Sequence, residues 1–412
     1  MQAIDHSEVV NVTREQKARG IRLRDSVLSI PDDIDMRDPV SCFCDPSGSS
    51  NDNVFHTQVR RVLGLVNPKS GGGKALRRWR KLAAKLEAND IETEVHETQS
   101  AADFTLIAAC CDLRNLCDVL VVVGGDGTLH ELTQGFALRA VLENSNRVIE
   151  CPVPVCILAA GTGNNVLRTM GALDTETVAQ ALIRGSYRYI DVFRCHLCER
   201  DTVDDAVAVE CPDFLSGPLG PREFPSQQQC QQYLQLPLDS VRVKFAINNL
   251  AWALGVDTTR SAEHHRWARL MRYDIGAVSS LLRYRHHRAT LIVDGREIAS
   301  QDWDYIGAQN NQHGGAASNL APFAVLDDGM ADLVTFGKHG RFSAVGKFLK
   351  LGSGRHVLCD GLDYLRARSF CIVPEEPSFI CIDGENFPMN ALRVDVLRRV
   401  LPLVVPIASG NN

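Results

Sequence analysis

Short apolar runs alternate, over the first half of the chain, with stretches in which apolar residues return every three or four positions. Residues 62–66 read as a strand, and Leu76, Trp79, Leu82 and Leu86 then mark one face of a helix. Residues 119–123 read as a buried strand, Leu129, Leu132 and Phe136 share the face of a second helix, and 153–158 is another short strand. Such alternation predicts a parallel sheet with helices on its faces. Ligands of such sheets bind beyond the carboxyl ends of the strands. After Ile190-Asp191-Val192 the pattern changes, and residues 199–236, rich in Pro, Gln, Asp and Gly, are expected to be a mobile insertion. Strand-like segments then recur at 241–248, 289–293, 330–336, 369–373 and 378–382, separated by turn signals and few helices. The expected organisation is an N-terminal extension (1–55, partly disordered), an α/β domain (56–193), a β-rich and mostly antiparallel domain (194–390) that carries the insertion, and a C-terminal segment (391–412) returning to the first domain.

Composition narrows the class. A chain of 412 residues with 45% hydrophobic positions can build about two cored domains. A net charge of -6 argues against a nucleic-acid partner. The sequence shows neither a signal-peptide pattern nor an uninterrupted apolar run long enough to span a bilayer, so a cytoplasmic protein is expected. Fourteen cysteines in a chain of this size fit reduced thiols better than a disulfide scaffold. Cys195-x-x-Cys198, with Cys211 and Cys230, is the one spacing that invites zinc, and its second pair is too widely spaced for a zinc ribbon.

The candidate chemistry lies in four glycine-bearing turns, each after an apolar run. The first, Asn67-Pro68-Lys69-Ser70-Gly71-Gly72-Gly73-Lys74, is P-loop-like, yet Ala75 stands where a P-loop places Ser or Thr to reach magnesium. The second, Gly124-Gly125-Asp126-Gly127-Thr128, surrounds one acid and opens a helix. The third is Ala160-Gly161-Thr162-Gly163-Asn164-Asn165. Glycines allow close backbone approach, and helix starts present unpaired N–H groups to an anion. Any one of these is also an ordinary strand-to-helix turn. Three at the ends of parallel strands would line one cleft with donors for a polyphosphate.

The fourth, Asp383-Gly384-Glu385, sets two carboxylates across a glycine; by itself a hairpin turn accounts for it equally well. Phosphoryl transfer calls for carboxylates that hold magnesium and handle the acceptor proton, and for cations such as Lys69, Lys74, Arg266 and Arg272.

Taken in order, Asn67-Pro-Lys, Gly124-Gly-Asp-Gly-Thr, Ala160-Gly-Thr-Gly-Asn and Asp383-Gly-Glu resemble the catalytic region shared by diacylglycerol, sphingosine and ceramide kinases, over residues 60 to about 400. The resemblance implies an α/β nucleotide-binding domain of the phosphofructokinase/NAD kinase type, a second β-rich lipid-binding domain, and ATP in the cleft between them. It implies Asp126 as catalytic base, with Asp126 and Asp383 serving a catalytic Mg2+. Nucleotide contacts would come from Asn67, Lys69, Ser70, Thr98, Gly124, Gly125, Gly127, Thr128, Gly161, Thr162, Gly163, Asn164, Arg266, Arg272, Asp383, Gly384 and Glu385.

Within that family, Leu250-Ala-Trp-Ala-Leu-Gly-Val-Asp257, Glu263, Arg266 and Arg272-Tyr-Asp-Ile-Gly276 look most like sphingosine kinases, which would put Asp257, Thr259 and Tyr273 at the lipid. Sphingosine kinases carry an acid where this chain has Thr259, so diacylglycerol or ceramide stays open as the acceptor. Ala321-Pro-Phe-Ala-Val-Leu-Asp-Asp-Gly329, with Asp332, is similar to bacterial diacylglycerol kinases and makes Asp328 a candidate for a structural Mg2+; a type I turn explains the same residues. Gly354-Arg-His356 is common to both branches. A soluble kinase of the NAD kinase or phosphofructokinase type, and a catalytically silent lipid-binding homologue, are the more distant readings. The late Asp383-Gly-Glu counts against the first, and the intact Asp126, Asp383 and Glu385 count against the second. Arg283, Arg285, His286, His287 and Arg288, beside Leu281, Leu282 and Tyr284, could make a transient peripheral contact with an anionic membrane or simply form a solvated surface.

Overall fold

The computed structural model describes residues 53–161, 163–198, 223–235, 242–258, 287–314, 318–337, 346 and 350–406. The chain divides into two compact units. One is built from Ser50–Val192, Val207–Ile247 and the chain from Arg398 onward; the other includes Phe193–Ala206 and Asn248–Leu397.

The first unit is the α/β unit. Its parallel strands lie in the order Glu92–Glu97, Arg61–Val66, Val119–Gly124, Val155–Ala159, and Leu403 of the strand Ala391–Val404 pairs in parallel with Val155. Arg61–Val66, the first of these parallel strands in sequence, therefore sits inside the sheet, and the chain leaves it in opposite directions, to Glu92–Glu97 on one side and to Val119–Gly124 on the other. That reversal makes a topological switch point at the carboxyl ends of Arg61–Val66 and Val119–Gly124, where open α/β sheets bind their ligands. Val119–Gly124 is buried along its whole length, which is why it reads as an unbroken apolar run.

The helix Ala75–Glu87 buries Ala75, Trp79, Leu82, Ala83 and Leu86, a stripe of period near 3.6. Ala101–Cys110 is apolar nearly all round and is buried from Ala102 to Cys110. Thr175–Arg184 starts at Asp174, whose Oδ1 accepts the Thr177 N–H at 2.8 Å, and ends at Gly185 with φ +62°.

Within the stretch expected to be mobile, Gln227–Leu234 is a helix. Cys230 packs among Ala102, Leu106, Cys110 and Leu138. The Phe224 ring stacks on His96 at 3.9 Å, and the Cys111 thiol donates to the Glu223 carbonyl at 3.0 Å. A run of glutamines shows no apolar period, so this helix is held by packing that its own sequence does not announce.

The second unit is antiparallel. The long strand Arg296–Gln309 pairs over its first half with His287–Val293, and over its second half with both Asn249–Ala253 and Ala331–Gly337. Its register shifts after Glu297, within the pairing to His287–Val293, and again after Trp303, where the partners change. Ser378–Ile382 joins Asn249–Ala253 on one side and the hairpin partner Glu385–Met389 on the other. Leu362–Ala367 continues from Ala331–Gly337, and Ser369–Pro374 continues from His287–Val293. Trp252, Trp303 and Phe370 of this unit are among the largest fully buried side chains of the described residues.

Candidate functional site

The three glycine turns of the α/β unit meet at its switch point. Gly71 has φ +60°, and a Cβ there would fall 2.7 Å from the Ala160 carbonyl oxygen, so the first turn lies against the third. A Cβ on Gly161 would fall 2.9 Å from the Gly125 Cα, so the second and third turns touch backbone to backbone. The Gly124 carbonyl accepts the N–H groups of Ala160 at 2.7 Å and Gly161 at 3.1 Å. Lys69 N–H donates to Asn67 Oδ1 at 3.0 Å, which folds the first turn; Lys69 and Lys74 are exposed. Thr98 follows the strand Glu92–Glu97, and its N–H donates to the Val66 carbonyl at 2.9 Å.

Asp126 is the first residue of the helix Asp126–Leu142, after Gly125. Its Oδ2 accepts the Asn165 N–H at 2.8 Å and its Oδ1 accepts the Val166 N–H at 3.4 Å, at the start of the helix Asn165–Thr169. The carboxylate therefore stands at two helix N-termini, where the backbone field favours negative charge. Thr128 and Leu129 return their N–H groups to the Gly125 carbonyl, at 3.0 and 3.3 Å. Asn164 is left-handed at φ +53°, and its Nδ2 donates to the Gly161 carbonyl at 3.0 Å.

The polar groups left over at these turns fit a ligand that carries both hydroxyl groups and acceptor oxygens. The Thr98 hydroxyl, which can donate, and the amide oxygens Asn164 Oδ1 and Asn165 Oδ1, which only accept, are buried polar atoms without a hydrogen-bond partner, and they sit at or beside these turns. Buried polar atoms of this kind are ordinarily satisfied. Two cations escaped the sequence reading. The Arg78 guanidinium donates to the Ala159 carbonyl, and Arg168 Nε donates to the Gly163 carbonyl at 2.9 Å. Arg78 is one of four basic residues between Arg77 and Lys81, so nothing local distinguished it.

In the β-rich unit, Asp383 and Gly384 form the two-residue loop between Ser378–Ile382 and Glu385–Met389, with φ +48° and +98°. Positive φ at both positions matches a type I′ hairpin, for which Asp-Gly is a favoured pair. Asp383 does more than turn the chain. Its Oδ1 accepts the N–H groups of Asn248 and Asn249, both at 2.9 Å, and its own N–H donates to the Asn249 carbonyl at 2.9 Å. Glu385 is exposed.

Asp328 lies in a turn, where its Oδ1 accepts the Met330 N–H at 2.9 Å and its Oδ2 pairs with the Arg366 guanidinium. The counter-charge at Asp328 is thus an arginine. Asp257 Oδ2 lies 3.8 Å from His287 Nε2, and the His287 ring packs edge-on against Trp252 at 5.7 Å. Arg288 pairs with Glu375 at 2.8 Å, so both described members of the basic cluster have partners inside the unit. Thr162, Thr259, Arg266, Arg272 and Tyr273 lie outside the described residues, as do 281–286.

Cys195 and Cys198, three apart on the strand Ser186–Cys198, face opposite sides, and burial pushes the Cys195 thiol well above its ordinary value. Among the described residues no group of three or more His, Cys, Asp or Glu is arranged to hold a metal. Magnesium does not require such a cage, since it keeps waters and is commonly held by one or two carboxylates with substrate phosphates. Among the described residues no helix is long and apolar enough to cross a membrane.

Residues 61–195 match the diacylglycerol kinase catalytic domain, and residues 252–408 match the YegS C-terminal NAD kinase beta sandwich-like domain. The chain is 27% identical over 161 residues to sphingoid long-chain bases kinase 1 of Arabidopsis thaliana, an alignment covering 39% of this chain and 20% of that relative. The chain therefore spans about a fifth of that relative's length. It is 23% identical over 355 residues to the diacylglycerol kinase of Bacillus subtilis (strain 168), covering 84% of this chain and 97% of the relative. The crystal structure of a diacylglycerol kinase from Bacillus anthracis str. Sterne has a similar fold, with a TM-score of 0.55, 16% identity, and coverage of 85% of this chain and 98% of that one.

Proposed function

The chain belongs to the diacylglycerol kinase catalytic-domain family, and from that premise we propose that it is an ATP-dependent lipid kinase, transferring the γ-phosphoryl group to a lipid primary hydroxyl. The observation that carries the reading is the meeting of three glycine turns around Asp126 at the sheet's switch point. Their backbone N–H groups and the buried Thr98 hydroxyl suit a polyphosphate, and the Asn164 and Asn165 amide oxygens suit a ligand hydroxyl. Asp126 orients the acceptor hydroxyl and takes its proton. A carboxylate has about four acceptor sites, so being held by two N–H groups is compatible with that role. Lys69, Arg78 and Arg168, with Arg266 and Arg272, are the candidate cations for the phosphate oxygens. Magnesium bound with the nucleotide would supply charge neutralisation on the transferred group, and Asp126 is the residue of this unit proposed to hold it.

For the acceptor we propose a sphingoid base. The sphingoid-kinase relative and the Leu250–Asp257 segment support it, with Asp257, or Asp274 outside the described residues, as the acid that receives the lipid ammonium. Diacylglycerol or ceramide is the second reading, favoured by Thr259, which leaves one expected negative charge missing, and by the similarity to the Bacillus subtilis enzyme. Parallel assays with sphingosine, ceramide and diacylglycerol in detergent micelles, with ATP and magnesium, separate them. Preference for sphingosine is expected; efficient use of a neutral lipid with little use of sphingosine would replace the sphingoid-base reading and keep the kinase.

A further inference from the structure

The Asp383 turn rests on a chain of buried amides whose orientation can be deduced. The His313 backbone N–H, which can only donate, meets Asn311 Oδ1 at 3.0 Å. That fixes the Asn311 amide, so its Nδ2 is the group facing Asn248, and it donates to Asn248 Oδ1 at 2.9 Å. Asn248 is fixed in turn. Its oxygen is used by Asn311, and its Nδ2 is left as a buried donor with no hydrogen-bond partner. Asn248 is 2% exposed and Asn311 fully buried. The backbone of Asn248 is committed as well: its N–H binds Asp383 Oδ1 at 2.9 Å, and its carbonyl accepts the Asn310 N–H at 2.8 Å.

A buried amide donor without an acceptor is costly, and such groups in folded proteins are nearly always satisfied. This one is held by the Asn311 amide, itself fixed by the His313 N–H, on the residue whose backbone anchors Asp383. We propose that Asn248 Nδ2 is a ligand-binding donor that takes an oxygen atom of a substrate beside Asp383. An N–H donor selects an acceptor oxygen and rejects an ammonium. The inference rests on the lipid-kinase reading, under which the oxygen belongs to a nucleotide phosphate or to the lipid head group. Asn311 is a positioning residue, acting only through Asn248.

The test uses the full chain as wild type, Asn248→Ala and Asn311→Ala. Both variants break the same inter-amide bond, and only the first removes the donor. Dissociation constants are measured separately for a non-hydrolysable ATP analogue with magnesium, for micellar sphingosine and for micellar diacylglycerol. Asn248→Ala is expected to weaken one ligand class by about 10- to 100-fold, the range for a hydrogen bond to a charged or strongly polar oxygen, and Asn311→Ala by less than about threefold. Loss confined to the nucleotide assigns a phosphate oxygen, and loss confined to lipid assigns a head-group oxygen. Equal effects of the two variants, or no effect of either, overturn the proposal while leaving the kinase reading intact. Wild-type protein that binds none of these ligands overturns both. Should Asn248→Ala not fold, the side-chain amide signal of Asn248 in asparagine-labelled wild-type protein decides the matter. It shifts on ligand addition if the proposal holds, and a signal unmoved by a ligand that binds refutes it.

Discussion

A carboxyl group withdrawn from water must be neutral or firmly paired. Asp332 is fully buried, its Oδ1 accepts the Tyr364 hydroxyl at 2.8 Å, and the Arg366 guanidinium lies 3.6 Å away while also serving Asp328. Burial pushes the Asp332 carboxyl up to about 7, more than the shared arginine can offset. A raised carboxyl binds its proton more tightly in the folded chain, so its contribution to stability is fully present below its ordinary value near 4 and is lost as pH rises toward 7. Asp332→Asn keeps the shape and the acceptor for Tyr364 and cannot ionise. It is expected to melt above the wild type at pH 8, with the gap closing toward pH 5. Melting curves across that range check it, and a wild type that gains on the variant as pH rises would show the charged form to be the favoured one. At the same scale, Asp257→Asn is expected to raise the Michaelis constant for sphingosine by about ten- to a hundredfold while sparing a neutral lipid, since a charge-assisted contact is worth roughly 1.5–3 kcal/mol. Unchanged sphingosine kinetics would remove Asp257 from the lipid site. Single residues were legible only where a glycine framed them: Asp126 and Asp383 stand out in the sequence, whereas Asn248 and Asn311 belong to no motif and acquire meaning only from their hydrogen bonds.

Elements were legible where one face is buried and the other wet. Ala75–Glu87 shows its stripe plainly, and Ser378–Ile382 falls on the residues its pattern marked. Ala101–Cys110 is buried on almost every side, so its periodicity vanishes. The Gln227–Leu234 helix fails in the opposite way, having almost no apolar face. Close helix packing leaves a different trace. A Cβ at Gly135, in Asp126–Leu142, would fall 2.2 Å from the Thr105 carbonyl oxygen and 2.6 Å from the Ala108 Cβ, so this glycine lets the helix carrying Asp126 lie against Ala101–Cys110. Gly135→Ala is expected to lower stability by about 1–3 kcal/mol through overpacking, which outweighs the roughly 0.5–1 kcal/mol of helix propensity that alanine adds. Chemical denaturation measures this, and a variant as stable as wild type would mean that the two helices separate at little cost.

At the scale of the whole molecule, alternation of strand and helix made the α/β unit readable, and turn spacing made the β-rich unit readable as a class but not in its pairing. The strand Arg296–Gln309 pairs with three others and carries two irregularities, and neither is encoded in a local pattern. The strands Ser186–Cys198 and Ala391–Val404 each begin in one unit and end in the other, a connection that depends on partners distant in sequence. The central claim is that the turns around Asp126 perform phosphoryl transfer to a lipid. The measurement that tests it most directly follows label from γ-labelled ATP into micellar lipid, comparing wild-type protein with Asp126→Asn at matched folding and matched nucleotide binding. The account predicts lipid phosphorylation by the wild type and a loss of about 10²- to 10⁴-fold in the variant, the contribution expected of a positioned general base. Label that enters no lipid with the wild type, or turnover by the variant within threefold of it, would contradict the account.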